Sequence, residues 1–298
     1  MKVITQEIQL LHSSIKIFIR REDLIHPIVS GNKYRKLKYN LQFAKTENYS
    51  KLLTFGGAFS NHIAAVAFAG KELGFETVGV IRGDELESKM FENPTLKFAH
   101  NCGMKFDFIS REAYRFKESD SFMEKLIEKH QNFYLIPEGG TNDLAIKGCE
   151  EILNSQDAKF DFICCAIGTG GTISGIINSS KSNQKVLGFS ALKGDFLYKD
   201  IRKFAKNTNW DIISDYHFGG YGKVSLELIQ FINSFDEEYQ ILLDPIYTGK
   251  MVYGIFDLIN KNYFPKNSKI LIIHTGGLQG IEGMNLKLKT NNLPIIKI

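Results

Sequence analysis

The sequence is poor in the features that build disulfide scaffolds, zinc sites and membrane spans. It has four cysteines, and no apolar run approaches the ~18 residues that a membrane-spanning helix needs. Cys164 and Cys165 are adjacent in an apolar run and no CxxC pair occurs, so we expect neither a disulfide framework nor a metal site. The N-terminal segment "MKVITQEIQL" lacks the apolar core of a signal peptide. These absences predict a cytoplasmic protein with no membrane partner.

The charge balance argues against a nucleic-acid partner. The formal net charge is +4 over 298 residues, whereas a dedicated nucleic-acid binder would carry a far more basic domain or stripe. The hydrophobic fraction of 43% and the charged fraction of 23% are those of ordinary folded proteins. A chain of this length can bury a large core in one domain or in two. We therefore expect a folded protein that does not bind nucleic acid.

Short apolar runs recur along the chain and lead into glycine-rich turns or amphipathic stretches. Such runs, rich in Ile, Val and Phe, are typical of strands buried on both faces. They cover residues 51–57, 77–83, 105–110, 132–140, 160–171, 185–192 and 269–277. Helical patterns alternate with them, for example over residues 62–74, which end in the predicted C-cap Gly74, and over residues 250–260. The alternation predicts an α/β fold with parallel sheets.

Glycine-rich segments stand where four predicted strands end, at residues 56–57, 139–140, 168–171 and 276–277. Ligands bind beyond the carboxyl ends of strands in open α/β sheets, so segments that converge there would form one site. In "AIGTGGTISG" (166–175) the glycines and the following helix start offer N–H groups that suit a phosphate monoester. A tight strand–helix turn without a ligand is an equally good interpretation of this segment alone. The segment matches neither the Walker motif nor the dinucleotide fingerprint.

The segment "TFGGAFSNHIAA" (54–65) has the same strand–loop–helix form. Ser60 or Asn61 can cap the helix that follows, which is the simpler account of both residues. Alternatively, these side chains and the first helical amides bind a carboxylate or phenolate oxygen. His62 could act as a base, although a single histidine at a helix start is more often structural.

Four cations occur close together in "VSGNKYRKLKYN" (29–40), namely Lys33, Arg35, Lys36 and Lys38. We interpret the last three as a solvated helix face. Lys33 differs because it stands at the turn before the predicted helix, where it could be held against a cofactor. Desolvation and neighbouring positive charge would lower its pKa, as a Schiff-base lysine requires.

Polar side chains also occur at turns further along the chain. Tyr221 lies in "FGGYGK" (218–223), Tyr247 and Thr248 precede a predicted helix, and Thr275 follows the last predicted strand. Stabilisation of the turn accounts for each of these residues at least as well as ligand binding does.

Eight segments together resemble one known family. In chain order they are "RRED" (20–23), "SGNKYRKL" (30–37), "GGAFSNH" (56–62), "PEGGTN" (137–142), "GTGGT" (168–172), "YHFGGYGK" (216–223), "DPIYTGK" (244–250) and "HTGGL" (274–278). They resemble pyridoxal-phosphate enzymes of the tryptophan-synthase β-subunit fold, in the branch of 1-aminocyclopropane-1-carboxylate deaminase and D-cysteine desulfhydrase. Each motif alone is weak, but together they cover nearly the whole chain in the family's order.

The resemblance implies two doubly wound α/β domains with mostly parallel sheets, and pyridoxal 5'-phosphate between them. The small domain would comprise residues 36–144, inserted into a large domain of residues 1–35 and 145–298. A homodimer that acts on a small amino acid is implied as well.

The resemblance also assigns residues to the cofactor. Lys33 matches the lysine that forms a Schiff base with it, and Asn61 matches the residue that hydrogen-bonds its phenolic oxygen. Thr248 matches the residue beside the pyridine nitrogen, and Thr275 belongs to the same cofactor-binding set. The phosphate cup corresponds to Gly168, Thr169, Gly170, Gly171 and Thr172.

On the substrate side, Ser60, Asn61 and His62 match the loop that holds the substrate carboxylate, with Ser60 near the reacting centre. Tyr221 and Tyr247 match two tyrosines that face the substrate. The implied catalytic residues are therefore Lys33, Ser60, Tyr221 and Tyr247.

Within the family, the sequence favours a lyase that eliminates sulfide from D-cysteine and yields pyruvate and ammonia. Lys33 would take or return the Cα proton. Members that open the cyclopropane ring instead commonly have a glutamate at the position of Thr248, and a carboxylate there keeps the ring nitrogen protonated. His62 also resembles the desulfhydrase pattern. The ring-opening deaminase is the alternative, and Gln279 and the pair Ala58-Phe59 depart from the usual residues near the substrate.

A function of a different class is also compatible with these residues. An α/β protein that holds a phosphorylated metabolite without chemistry would use the same glycine-rich cup. It would be colourless, whereas a Schiff base with pyridoxal phosphate is yellow.

Overall fold

The computed structural model describes residues 3–10, 13–194 and 196–298. The strands in these residues are β1 Thr5–Ile8, β2 Lys16–Arg20, β3 Lys51–Gly56, β4 Glu76–Arg82, β5 Lys105–Ile109, β6 Tyr134–Ile136, β7 Phe162–Ile167, β8 Lys185–Ser190, β9 Trp210–Ile213 and β10 Lys269–Ile273. The α-helices are α1 Asn32–Thr46, α2 Asn61–Leu73, α3 Pro94–Asn101, α4 Arg111–Arg115, α5 Asp120–His130, α6 Asp143–Glu150, α7 Gly171–Ser179, α8 Phe196–Arg202, α9 Leu226–Tyr239, α10 Thr248–Asn260 and α11 Gly280–Thr290. No helix in the described ranges is long and apolar enough to span a membrane.

Two sheets form within the described residues. The larger has the strand order β1-β2-β10-β7-β8-β9 and the smaller the order β5-β4-β3-β6. Every pairing between neighbouring strands is parallel except that of β1 with β2. The predicted α/β fold with mostly parallel sheets is therefore confirmed. All seven predicted strands are present, whereas β1, β2 and β9 were not predicted, because each is short and carries charged or polar residues.

Both faces of each sheet are covered by helices. Along β7, Cys164 packs into a core with α9, α10 and α11, while its neighbour Cys165 packs into a separate core with α7 and α8. The smaller sheet is divided in the same way, with Leu52 facing α1 and α2, and Leu53 facing α4 and α5. Successive side chains in a strand point to opposite faces, so apolar residues are needed at every position of these strands.

The path of the chain explains where a site can form. The chain leaves the larger sheet after β2, builds α1 and the smaller sheet, and returns to the larger sheet at β7. In the larger sheet, β10 pairs with both β2 and β7, so the carboxyl ends of these three parallel strands meet at one edge. The loops after them therefore come together although they are far apart in sequence. The two sheets fit the predicted two domains, but the boundaries at residues 35–36 and 144–145 stay a prediction.

Candidate active site

A cavity opens where β2, β7 and β10 end. The predicted residues that line it are Lys33, Ser60, Asn61, His62, Gly168, Thr169, Gly170, Thr172, Tyr221, Tyr247 and Thr275. Three of the four glycine-rich segments contribute to its wall, through Gly139, residues 168–170 and residues 276–277. The fourth, residues 56–57, does not border the cavity, although the Ser60 loop after it does. The predicted convergence of strand ends on one site is thus largely correct.

The start of α1 is fastened to the loop after β10. Gly31 has a φ of +61°, and a Cβ at this position would lie 1.9 Å from the carbonyl oxygen of Thr275, so the close approach requires glycine. The backbone N–H of Asn32 donates to the same oxygen at 3.1 Å. Because α1 begins at Asn32, Lys33 lies in the first helical turn, and the prediction that it stands before the helix is wrong.

The amine of Lys33 has one long hydrogen bond. Nζ lies 3.3 Å from Oδ1 of Asn32, and no other partner is found among the residues that the structure describes. Burial and, to a smaller extent, the nearby Lys36 ammonium together lower the pKa of Lys33 from 10.5 to about 7. A large share of the amine is therefore free at neutral pH, and the free amine is the nucleophilic form.

Lys36 is a site residue that sequence reasoning assigned to a solvated face. Its side chain is buried, and Nζ donates to the carbonyl oxygen of Gly139 at 2.8 Å and to the hydroxyls of Thr141 at 3.0 Å and Thr169 at 3.3 Å. Burial lowers the pKa of this ammonium. The spacing of three residues from Lys33 was the available signal, because residues i and i+3 share a helix face.

Arg35 does not lie on a solvated face either. Its guanidinium donates to both carboxylate oxygens of Glu22, at 2.8 and 2.9 Å, and the Glu22 side chain is 1% exposed. Lys38, by contrast, is 41% exposed and pairs with Glu151, as the prediction requires. The interpretation of the three cations as one solvated face is therefore wrong for two of them.

The predicted phosphate cup is the N-terminus of α7. Gly170, with a φ of +82°, precedes the helix, and the first amides of α7 have no partner within the helix. Thr172 accepts a hydrogen bond from Nδ2 of Asn32 at 2.8 Å, which ties the cup to α1. Gly171 begins the helix but does not border the cavity, and an added Cβ there would lie 3.0 Å from Nζ of Lys36. Helical N–H groups and a buried ammonium thus face the same space, and both favour an anion.

Ser60 caps α2, as its simpler interpretation predicted. Its Oγ accepts from the backbone N–H groups of His62 at 3.3 Å and Ile63 at 3.4 Å. Asn61 follows at the first position of α2, and its buried Oδ1 has no hydrogen-bond partner among the described residues. A buried carbonyl oxygen without a donor costs free energy, so Oδ1 of Asn61 is available to accept a hydrogen bond from a ligand.

His62 is neutral and has one open nitrogen. Nε2 lies 2.9 Å from the hydroxyl of Thr54, which donates to the carbonyl oxygen of Ile136 at 2.8 Å, so Nε2 carries the imidazole proton. Nδ1 is buried without a partner in the described part of the chain. Burial and the two nearby lysines hold the pKa of His62 well below 6.5. His62 is therefore a hydrogen-bond acceptor at neutral pH and a poor base.

Tyr221 and Tyr247 are neighbouring aromatic residues in the wall of the cavity. Their ring centroids are 6.3 Å apart, and the ring of Tyr247 lies over Gly168, where an added Cβ would come within 3.1 Å of it. Burial raises the pKa of Tyr221 and holds that of Tyr247 well above 10. Both phenols therefore keep their protons at neutral pH and can donate them in hydrogen bonds.

Thr248 lies behind the cavity wall rather than in it. Its hydroxyl donates to Oδ2 of Asp244 at 2.6 Å and accepts from the Asp244 backbone N–H at 2.9 Å. Asp244 is fully buried and also accepts from the N–H groups of Ile246, Tyr247 and Thr248, so it caps α10. The place of Thr248 beside a pyridine nitrogen stays a prediction.

The residues present fit a phosphorylated aldehyde. Lys33 supplies an amine with a lowered pKa, the α7 terminus with Lys36 supplies an anion site, and Asn61 supplies an amide without a partner. The described residues that line the cavity include no aspartate or glutamate that would repel the phosphate. The observed geometry thus accommodates the anionic, aldehyde and phenolic groups of pyridoxal phosphate.

Comparison with known proteins gives the same result. The family model "Pyridoxal-phosphate dependent enzyme" matches residues 6–276. A putative 1-aminocyclopropane-1-carboxylate deaminase of Pyrococcus horikoshii is 30% identical, over 89% of this chain and 85% of its own length. The bifunctional D-cysteine desulfhydrase/1-aminocyclopropane-1-carboxylate deaminase, mitochondrial, of Arabidopsis thaliana is 32% identical, over 91% of this chain and 74% of its own length.

A solved structure of a homologue of 1-aminocyclopropane-1-carboxylate deaminase superposes with a TM-score of 0.79 at 28% identity, over 92% of this chain and 88% of that chain. The match extends over both sheets and therefore confirms the predicted tryptophan-synthase β-type fold. This chain belongs to the pyridoxal-phosphate dependent enzymes, in the family of 1-aminocyclopropane-1-carboxylate deaminase and D-cysteine desulfhydrase.

Proposed function

We propose that this enzyme eliminates the β-substituent of a small amino acid, and that D-cysteine is its substrate. The reaction consumes water and D-cysteine and releases pyruvate, sulfide and ammonia. The name of the Arabidopsis relative supports both this activity and ring-opening deamination, while the Pyrococcus relative is named for the deaminase alone. A cytoplasmic homodimer and the domain boundaries given above belong to the same proposal and rest on the sequence and the family resemblance.

Four groups would hold the cofactor in this proposal. Lys33 would form the covalent bond to its aldehyde carbon. The amides of residues 170–172 and the Lys36 ammonium would bind its phosphate, and the amide of Asn61 would bind its phenolic oxygen. The lowered pKa of Lys33 supports the first assignment, and the place of Asn61 in the cavity wall supports the last.

Bound pyridoxal phosphate would withdraw electrons from the Cα–H bond of the amino acid. The Lys33 amine, whose pKa is lowered to about 7, would be the group that takes the Cα proton near neutral pH. Ser60, Asn61 and His62 stand at the start of α2, where the partial positive charge of the helix N-terminus favours the substrate carboxylate. Because His62 stays neutral, it would orient a donor rather than carry the proton.

The two tyrosines suit the departure of sulfide. As the Cβ–S bond breaks, the electron pair stays on sulfur, and a nearby proton donor stabilises that charge. Tyr221 and Tyr247 line the cavity as protonated phenols, since burial raises both pKa values. Either phenol could donate a hydrogen bond to the sulfur, and neither would lose its proton to water at neutral pH.

The observation that carries the choice of substrate is that Thr248, at the predicted place beside the ring nitrogen, has a hydroxyl bonded to the buried Asp244 rather than a carboxylate of its own. Ring opening of a cyclopropane amino acid starts without a Cα proton and relies on a strongly electron-withdrawing cofactor ring, which a carboxylate beside the ring nitrogen promotes. Elimination sends the electrons out with the leaving group instead. A threonine at this position therefore fits elimination better.

An assay of products decides between the two reactions. Purified enzyme is incubated with D-cysteine, with L-cysteine and with 1-aminocyclopropane-1-carboxylate. We expect pyruvate and sulfide in equal amounts from D-cysteine, at a kcat/KM at least about 10-fold above that for L-cysteine, and little 2-oxobutyrate from the cyclopropane. A higher kcat/KM for 2-oxobutyrate release would make the deaminase the correct assignment. A colourless protein without either activity would favour a phosphometabolite-binding role.

The lowered pKa of Lys33 gives a pH prediction for cofactor uptake. Below pH 7 the amine is increasingly protonated and unreactive, and above pH 7 the free amine predominates. The rate of yellow-colour formation after mixing apoenzyme with pyridoxal phosphate should rise up to about pH 7 and then level off. A lysine peptide in the same buffers serves as the control, because its ordinary pKa makes the rate keep rising to about pH 10. An enzyme rate that follows the peptide would contradict a lowered pKa.

A further inference from the structure

Lys250 is a buried cation that the proposed reaction does not use. It lies in the first turn of α10 and is 2% exposed. Its Nζ donates to the carbonyl oxygens of His217 and Gly220, both at 2.9 Å. No carboxylate lies within 4 Å of it in residues 3–10, 13–194 and 196–298. Burial lowers the pKa of Lys250 to about 8 although the Asp244 carboxylate raises it, so the ammonium is mostly charged at neutral pH. The two carbonyl oxygens are its direct hydrogen-bond partners.

The loop that Lys250 holds is otherwise weakly determined. Phe218, Gly219, Gly220 and Gly222 all have positive φ values, of 52°, 90°, 107° and 65°. Glycines resist ordering, because they lose more conformational freedom on folding than any other residue. Inside the loop, the N–H of Gly220 donates to the His217 carbonyl at 3.0 Å. The His217 carbonyl that closes this turn also binds Lys250, and so does the Gly220 carbonyl, which accepts from the Lys223 N–H at 3.2 Å.

The next residue after this turn is Tyr221, which lines the cavity. Tyr247, its aromatic neighbour at 6.3 Å, stands at the N-terminus of α10, three residues before Lys250. The start of α10 therefore positions Tyr247 directly, and it contacts the loop of Tyr221 through the Lys250 ammonium. A displacement of a catalytic group by about 1 Å can lower the reaction rate by about 100-fold.

We propose that Lys250 is a positioning residue that holds the turn at residues 217–220 and thereby fixes the phenol of Tyr221 over the reacting centre. The expected effect on kcat rests on the proposed function, whereas the expected ordering of the loop at residues 217–220 does not. Hydrogen bonds from a charged donor are about twice as strong as neutral ones, which suits a contact that must order three glycines.

The kinetic test compares Lys250→Met, Tyr221→Phe and the double variant in the cofactor-loaded enzyme with D-cysteine. Lys250→Met should lower kcat by about 10- to 100-fold, with a smaller change in KM and an unchanged visible absorbance of the cofactor. If Lys250 acts through Tyr221, the double variant is no slower than Tyr221→Phe. Losses that multiply in the double variant would overturn the proposal. Lys223→Met, at an exposed lysine of the same loop, is the matched control and should keep wild-type kcat.

A structural test separates this proposal from the proposed function. Hydrogen exchange, measured by mass spectrometry on the loaded enzyme, should become at least about 10-fold faster at residues 218–223 in Lys250→Met and stay unchanged in α2. This result is expected even if D-cysteine is not the substrate. Unchanged exchange in the loop would overturn the positioning role. If Lys250→Met does not fold, Lys250→Gln, which keeps a shorter neutral donor, is measured instead and should give the same loop-specific increase.

Discussion

Replacing Lys33 with alanine is expected to leave a folded, colourless protein whose activity is lower by at least about 10³-fold. Two functions disappear together, since the same amine would bind the cofactor covalently and carry the Cα proton. The side chain contributes one long hydrogen bond to Asn32, so its removal costs the fold little. The measurements are the visible absorbance after gel filtration in pyridoxal phosphate, and pyruvate release from D-cysteine.

The control for this experiment is Lys38→Ala on the same helix. Lys38 is 41% exposed and contacts Glu151 rather than the cavity, so colour and rate should stay at wild-type values. A Lys33→Ala protein that stays yellow through gel filtration and is then bleached by borohydride would show that another amine holds the cofactor. Lys36 would then be the first residue to test, because its Nζ also lies at the cavity.

Replacing Arg35 with methionine is expected to destabilise the protein by about 3–5 kcal/mol. The change removes both hydrogen bonds to Glu22 and leaves its carboxylate, whose side chain is 1% exposed, without its cation. Glu22 follows β2 directly and Arg35 lies in α1, so the pair joins the strand to the helix that carries Lys33. Chemical denaturation of the wild type and the variant measures the loss.

A second variant tells whether the buried charge is the cause. Replacing both residues with methionine removes the unpaired carboxylate together with its partner, and most of the lost stability should return. Arg111→Met provides the surface comparison, because Arg111 and Glu85 form a pair whose side chains are 60% and 51% exposed. That change should leave the denaturation midpoint almost unchanged. An equal loss of stability from Arg35→Met and Arg111→Met would show that the buried pair with Glu22 stabilises the protein no more than a surface pair does.

The parts of the site that could be predicted from sequence are those that local chemistry determines. The cap at Ser60 and the glycine-rich turn before α7 lie between an apolar run and a helical pattern, and the structure has both where the sequence indicates them. The meeting of strand ends follows from the parallel alternation alone. The identity of the cofactor came from the order of the family motifs rather than from any one residue.

The remaining parts depend on contacts that no local pattern contains. In the sequence Lys36 cannot be told from a surface lysine. In the structure α1 packs against the turn at Gly139, and the Lys36 side chain is buried there. Lys250 is likewise polar in sequence, and its acceptors are 30 and 33 residues upstream. Arg35 is neutralised by Glu22 because the residues that follow β2 lie against the first turn of α1. Burial of a charge depends on tertiary partners, which a single sequence does not reveal.

The position of β10 between β2 and β7 determines when the site can form in the nascent polypeptide. Lys33 is translated early, and residues 168–172 are translated much later. The loops that contain them meet at one edge of the sheet only when β10 pairs with both β2 and β7. Contacts of such long sequence separation form late and slowly. In the proposed function, pyridoxal phosphate would therefore bind only after β10 is translated, because a nascent chain that stops short of β10 lacks the edge at which these loops meet.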